Sequence, residues 1–284
     1  MARRRNNLER TSAPAADSPA TTTQTANADD LFSFVTPTEF VDLPSQGRFY
    51  PEGHPLHGVD SLEIRHMTAK EEDILTSETL LRKGVAIDRL LQSVMMDKDI
   101  KVDDLLVGDK NALLVASRIT GFGPDYLVTL TCPSCGAANE TEIDLTTLGI
   151  SDSEETQDAQ VTGEGTYKVT LPQTGVTVEL KLLTSGDERA LMQGAEKRKK
   201  LKLPENNATT QLNALIVSAN GVTDRAMITK LVGLLPLRDA QFARATYEAI
   251  KPDLDMGFPF TCESCNHTTR MEMPLTAEFF WPKR

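Results

Sequence analysis

The sequence predicts an α+β protein of two related halves, built from helices and short antiparallel hairpins and joined by a zinc-ribbon-like four-cysteine site. Three observations carry that reading. All four cysteines fall in two Cys-x-x-Cys pairs, Cys132-Pro-Ser-Cys135 and Cys262-Glu-Ser-Cys265. Each pair is flanked by short alternating segments that read as strand, turn and strand. One order of elements, from a Leu-Pro turn through a strand and helices to a cysteine hairpin, occurs twice along the chain.

Taken in order, residues 1–30 form a basic, polar tail of Ala, Thr, Ser, Pro and Asn with Arg3, Arg4, Arg5 and Arg10. With no apolar periodicity it cannot offset its ordering entropy and is expected to be disordered. The first half, 31–150, opens on Leu43-Pro-Ser-Gln-Gly47 and runs through an alternating segment, Leu62-Glu-Ile-Arg-His-Met67, to Thr68. Thr68 with Glu71 three residues later is a capping box, so one helix is expected over 69–83, ended by Gly84. Apolar spacing predicts further helices over 87–96 and 109–120, the latter closed by Gly121-Phe-Gly123-Pro124. Tyr126–Thr131 and Glu140–Leu145 are the expected strands around the first cysteine pair.

Residues 151–165 are acidic and polar and read as a linker. The second half, 166–284, repeats the pattern: Leu171-Pro-Gln-Thr-Gly175, a strand at Val178–Leu183, then Thr184 with Asp187 as a weaker capping pair. Helices are expected over 187–200, 209–218, 224–234 and 238–250, the first ending in Lys197-Arg-Lys-Lys200. Phe258–Thr261 and Thr269–Met273 then flank the second cysteine pair.

A Cys-x-x-Cys hairpin supplies half of a tetrahedral thiolate site, and two supply all of it. Cys132, Cys135, Cys262 and Cys265 are therefore the candidate ligands of a structural zinc ion, shared between the halves near a pseudo-two-fold axis. Two separate sites completed by other molecules stay open, as does His267 in place of one cysteine. A thiol-redox function is the rival for the same residues, but a redox Cys-x-x-Cys stands at a helix start after a strand, and these flanks are hairpins.

The composition narrows the function. With 284 residues, 39% hydrophobic and 25% charged, the chain suits a globular body of one or two domains. No stretch approaches the length of a membrane span, and no apolar segment follows the basic start as it would in a signal peptide. A reducing, cytosolic setting is therefore expected, which disfavours stable disulfides. A net charge of −11 argues against nucleic acid as a partner, so a zinc-ribbon nucleic-acid binder is the alternative rather than the main reading. No Gly-rich phosphate loop and no His-Glu-x-x-His occur. His54, His57 and His66 are spaced as bystanders, and pairs such as Glu71/Glu72 are adjacent and serve capping or solvation. A closed four-thiolate zinc cannot activate water. The expectation is a protein that is not an enzyme and has no small-molecule substrate.

Aromatic segments stand at both ends of the ordered part: Phe32, Phe34 and Phe40 near Phe49-Tyr50-Pro51, and Phe279-Phe280-Trp281-Pro282. Each either folds back on the body or docks on a neighbour. The strings Leu43-Pro-Ser-Gln-Gly-Arg-Phe-Tyr-Pro51, Met67-Thr-Ala-Lys-Glu-Glu-Asp-Ile-Leu75 and Lys101-Val-Asp-Asp-Leu-Leu-Val-Gly-Asp-Lys110 resemble the baseplate hub protein family of T-even-type contractile-tailed bacteriophages. Tyr126–Cys135 and the closing Phe-Phe-Trp-Pro add to the resemblance, which excludes the tail and the linker. It implies a virion or hub-assembly component whose partners are other tail baseplate and hub proteins. It also implies assembly in the host cytoplasm, residence in the virion tail baseplate, and the same four cysteines as site residues.

Overall fold

The computed structural model describes residues 36–151, 159–163, 165–275 and 279–280. The expected tail over 1–30, with Phe32 and Phe34 beyond it, lies outside these residues. In the first half β1 (Thr38–Asp42) pairs antiparallel with β2 (Ser61–Arg65). Helices α1 (Ala69–Thr76), α2 (Glu78–Lys83) and α3 (Ala86–Val94) follow, then a 3₁₀ turn at Val102–Asp104 and α4 (Val107–Phe122). The antiparallel hairpin β3 (Asp125–Thr131) and β4 (Ala138–Asp144) carries the first cysteine pair at its tip.

The second half begins with β5 (Ala159–Val161), β6 (Thr166–Thr170) and β7 (Thr177–Lys181), and continues with α5 (Ser185–Lys200), α6 (Asn207–Leu215) and β8 (Ile216–Ala219). These strands form one antiparallel sheet in the order β5-β6-β7-β8. Helices α7 (Arg225–Leu234) and α8 (Leu237–Ile250) lead to the hairpin of β9 (Gly257–Thr261) and β10 (Thr268–Glu272). The α+β class is therefore as expected, with eight α-helices and small antiparallel sheets among the described residues.

Three local expectations change. The helix over 69–83 is two, because Ser77 adopts an extended conformation (φ −69°, ψ 107°) and caps one helix while starting the next. The helix over 209–218 stops at Leu215, where Ile216-Val217 turns into β8 and pairs with β7; ladder partners override an ambiguous apolar run here. Within the stretch read as a linker, Ala159–Val161 forms an edge strand on β6, whereas 152–158 and 164 lie outside the described residues.

The duplication is visible in detail. In each half a cation on the strand before the capped helix pairs with the capping acid six residues on: Arg65 of β2 with Glu71 at 2.5 Å, and Lys181 of β7 with Asp187 at 2.7 Å. Both capping boxes form. The residue that follows the third helix of the first half, Met95, bridges Ile64 of β2, and the equivalent Ile216 pairs with Leu180 of β7. Each Leu-Pro turn is received by a buried aspartate at the third position of the last helix. Ser45 donates to Asp109 from its N–H (2.9 Å) and hydroxyl (2.6 Å); Gln173 and Thr174 donate their N–H groups to Asp239 at 2.8 and 3.0 Å.

The described residues from Pro37 on form one unit, and a single apolar core draws Leu43, Ile64, Leu91 and Leu113 from one half and Val169, Leu180, Leu215 and Ile250 from the other. Gly108, at the start of α4, sets the approach of the halves: a Cβ there would meet the Pro252 carbonyl oxygen at 2.0 Å. The seam also holds a short antiparallel bridge between Leu106 and Thr184. Val107 donates to the Leu183 carbonyl (3.1 Å), and Ser185 to the Leu105 carbonyl (2.7 Å).

Candidate metal centre

Both cysteine pairs occupy the same kind of turn. The N–H of the first cysteine donates across the turn, Cys132 to Ala137 and Cys262 to His267, each at 2.9 Å. The residue after the second cysteine returns a bond to the first cysteine's carbonyl, Gly136 to Cys132 and Asn266 to Cys262, again at 2.9 Å. That residue is left-handed in both turns, with φ 73° at Gly136 and 55° at Asn266. Glycine and asparagine are the residues that tolerate this conformation, so the local sequence dictates the knuckle. Alternation along β3 buries Tyr126, Val128 and Leu130 and leaves the turn projecting.

The two knuckles face each other. All four Sγ atoms lie within 4.8 Å of one another. Cys132 Sγ stands 3.8 Å from Cys265 Sγ, and Cys135 Sγ 3.7 Å from Cys262 Sγ. The buried cysteine of each knuckle thus opposes the exposed one of the other, as a two-fold axis through the cluster requires. Four sulfurs about 2.3 Å from a common tetrahedral ion are about 3.8 Å apart, so the donor set and spacing fit a metal ion of that kind. The separations are far above the ~2.05 Å of a disulfide. Asn139, buried on β4, ties the knuckles together: its Oδ1 accepts the Glu263 N–H at 2.9 Å, while its Nδ2 donates to the Ala137 carbonyl at 3.0 Å.

The electrostatics also favour a cation. Burial opposes charge on Cys262, but the N–H groups of Cys265 and Ser264 and the thiols of Cys265 and Cys132 outweigh it and pull the thiol down to about 6. The Ala137 N–H favours a Cys135 thiolate. The thiols of Cys265, Cys262 and Cys132, with burial, push it up to about 12. One thiolate forms readily, and a second charge beside it needs a positive partner.

The structure brings together all four cysteines that the sequence singles out. His267 enters only through its backbone carbonyl; among the described residues the donor cluster is cysteine alone. Neither pair stands at a helix N-terminus, the setting a redox Cys-x-x-Cys uses. The sequence reading missed Asn139 as the bridge between knuckles, since a polar residue on an edge strand carries no spacing signal. It also missed Arg118, whose buried guanidinium donates to the carbonyls of Phe279 (2.7 Å), Gly123 (2.7 Å) and Asp125 (3.1 Å). Phe279 packs edge-on against Tyr126 with centroids 5.1 Å apart, so this end of the aromatic segment folds back behind the first knuckle. Phe40, by contrast, is 71% exposed.

No described helix is long and apolar enough to cross a membrane. No curated protein and no solved structure matches the chain. A family model described as T4 bacteriophage base plate protein matches residues 36–281. That span takes in both Leu-Pro turns, both capping boxes and both cysteine knuckles, and it places the chain among phage tail structural proteins: it belongs to the T4 bacteriophage base plate protein family.

Proposed function

We propose that this chain is a non-catalytic component of the hub of a contractile-tail baseplate, present in the virion or in hub assembly, and shaped by one structural zinc on Cys132, Cys135, Cys262 and Cys265. The observation that carries the baseplate reading is the family match over residues 36–281. The hub assignment rests on the sequence strings at Leu43–Pro51, Met67–Leu75 and Lys101–Lys110. Zinc is favoured because four thiolates in a tetrahedral set suit a soft-tolerant ion without geometric preference of its own. Four protein ligands leave no open position for water, so the ion's role is to clamp two hairpins that are distant in sequence. Its partners are other baseplate and hub proteins, met in the host cytoplasm during assembly.

Two measurements test this reading. Elemental analysis with native mass on the purified chain is expected to give one zinc per chain; four free thiols without metal would remove the clamp. Mass spectrometry of purified tails and of assembly intermediates is expected to find the chain with central hub components. Its recovery only with peripheral baseplate parts, or with none, would overturn the hub assignment and leave the family membership standing.

A further inference from the structure

The seam between the halves is one-sided. The first half offers the Leu105–Val107 corner, and the second half covers it with Leu183–Ser185. The second half carries the same corner again. Leu235 (φ −62°, ψ 132°) and Pro236 (φ −55°, ψ 143°) reproduce the backbone of Leu105 (φ −65°, ψ 136°) and Leu106 (φ −61°, ψ 147°), and Leu237 starts α8 as Val107 starts α4. The first half likewise repeats the covering edge: Met67-Thr68-Ala69 stands where Leu183-Thr184-Ser185 stands, with Thr68 extended as Thr184 is.

These second versions do not meet within the chain. Among the described residues no backbone bond engages the Leu235 carbonyl, the Leu237 N–H, the Met67 carbonyl or the Ala69 N–H, the four groups whose equivalents pair across the seam. Leu234 and Leu237 are 74% and 69% exposed at the uncovered corner. Lys230 and Arg238 are exposed beside them, and exposed Glu72 and Asp73 follow the uncovered edge. In the closed seam opposite charges also meet: Arg189 with Asp88 at 2.8 Å, and Lys110 with Glu188 at 3.2 Å.

We infer that the Leu234–Arg238 corner is the docking surface for the Met67–Asp73 edge of a second copy of this chain. The contact repeats the internal seam between molecules: two antiparallel backbone bonds, apolar cover for Leu234 and Leu237, and Glu72 and Asp73 against Lys230 and Arg238. A head-to-tail contact of this kind closes into a ring or extends into a filament. It follows from the duplication and does not depend on the hub reading.

The full-length chain is expected to self-associate as its concentration rises towards about 100 μM, read by sedimentation and native mass. Leu237→Asp removes the corner, and Ala69→Pro with Glu72→Lys removes the edge; proline is tolerated at the first helical position while deleting the N–H. Each variant alone is expected to be monomeric where the parent associates, with an unchanged circular dichroism spectrum. Their equimolar mixture is expected to form a one-to-one dimer and nothing larger, because each retains the face the other lacks. A parent that stays monomeric, variants that associate like the parent, or a mixture without the dimer would overturn the inference. A photoreactive residue at position 237 gives a second reading that does not depend on variant folding. Cross-links to the 67–73 peptide of an isotopically heavy copy support the contact, and cross-links confined to other segments refute it.

Discussion

Asp109 and Asp239 occupy the same place in the two halves, each at the third position of the last helix, each fully buried, and each receiving its own Leu-Pro turn. The acid joins a helix N-terminus to a turn far back in the sequence, 64 residues away for Asp109 and Ser45. The Tyr50 hydroxyl donates to Asp109 at 2.7 Å, and its oxygen accepts the Leu106 N–H at 3.0 Å. The pairing locks the opening turn of each half to its closing helix, which then aims the cysteine hairpin.

Replacing Asp109 by alanine leaves the buried Ser45 and Tyr50 donors without an acceptor, whereas Asp239 receives exposed Gln173 and Thr174, whose donors can turn to water. Asp109→Ala is expected to cost about 3 kcal/mol and Asp239→Ala about 1 kcal/mol, seen as unequal losses in denaturant midpoint. Equal losses would show that the solvent exposure of Gln173 and Thr174 does not soften the second site.

The knuckles, both capping boxes and most helix positions were legible in the sequence because each is written within a few residues: Cys-x-x-Cys, Thr68 with Glu71, Thr184 with Asp187. The aspartate locks were not, since Asp109 and Asp239 look like ordinary acids in a first helical turn. Their partners are chosen by tertiary packing. Arg118 was hidden for the same reason: its acceptors are three carbonyls, and backbone oxygens leave no mark in composition. The expected helix over 209–218 runs into β8 because Ile216-Val-Ser218 has no period of its own, and pairing with β7 decides the matter.

If the four thiolates hold a metal ion, its removal is a folding event. Cys132→Ser with Cys262→Ser, or treatment with a strong chelator, is expected to lower stability by several kcal/mol, on the order of 3–5, and to shift the thermal midpoint sharply. An unchanged midpoint in the double variant would dismiss the clamp, whichever ion the site prefers.

Gly136 and Asn266 offer a cleaner probe, because they share a left-handed backbone but not a side chain. A Cβ at Gly136 meets nothing within 4 Å, so Gly136→Ala acts through the backbone alone. It is expected to cost about 1–2 kcal/mol and to weaken metal retention. Asn266→Gly relieves strain at the matching position and is expected to be neutral or slightly stabilising. Metal titration followed by thermal unfolding separates the two outcomes.

Glu71 makes the fold acid-sensitive in a defined window. Burial alone would raise its carboxyl, but the Arg65 guanidinium, Ser93 and Thr68 outweigh burial and hold it at about 2, against 4.5 when unfolded. A carboxylate depressed in the folded state contributes stability that is fully present above the unfolded value and is lost as pH falls towards the folded one. Stability is therefore expected to decline between about pH 4.5 and pH 2. Glu71→Gln is expected to flatten that part of the pH profile while lowering stability at neutral pH by about 2 kcal/mol. A variant that keeps the parent's acid slope would assign the window to other carboxylates.

Arg118 holds the far end of the body against the first knuckle. Its guanidinium is buried with three carbonyl acceptors and also lies over the Phe122 ring at 5.1 Å. Burial lowers its affinity for a proton, which makes every lost acceptor costly. Arg118→Lys preserves the charge but cannot reproduce the planar fork, so the bonds to Phe279, Gly123 and Asp125 cannot all survive. The expected result is a loss of about 2–3 kcal/mol together with faster amide exchange at Gly123–Tyr126 and around Phe279. Exchange at Leu91 and Leu113, in the shared core, should change only with global stability. Uniform acceleration across the chain would instead mean that Arg118 supports the whole core and does not act as a local clasp.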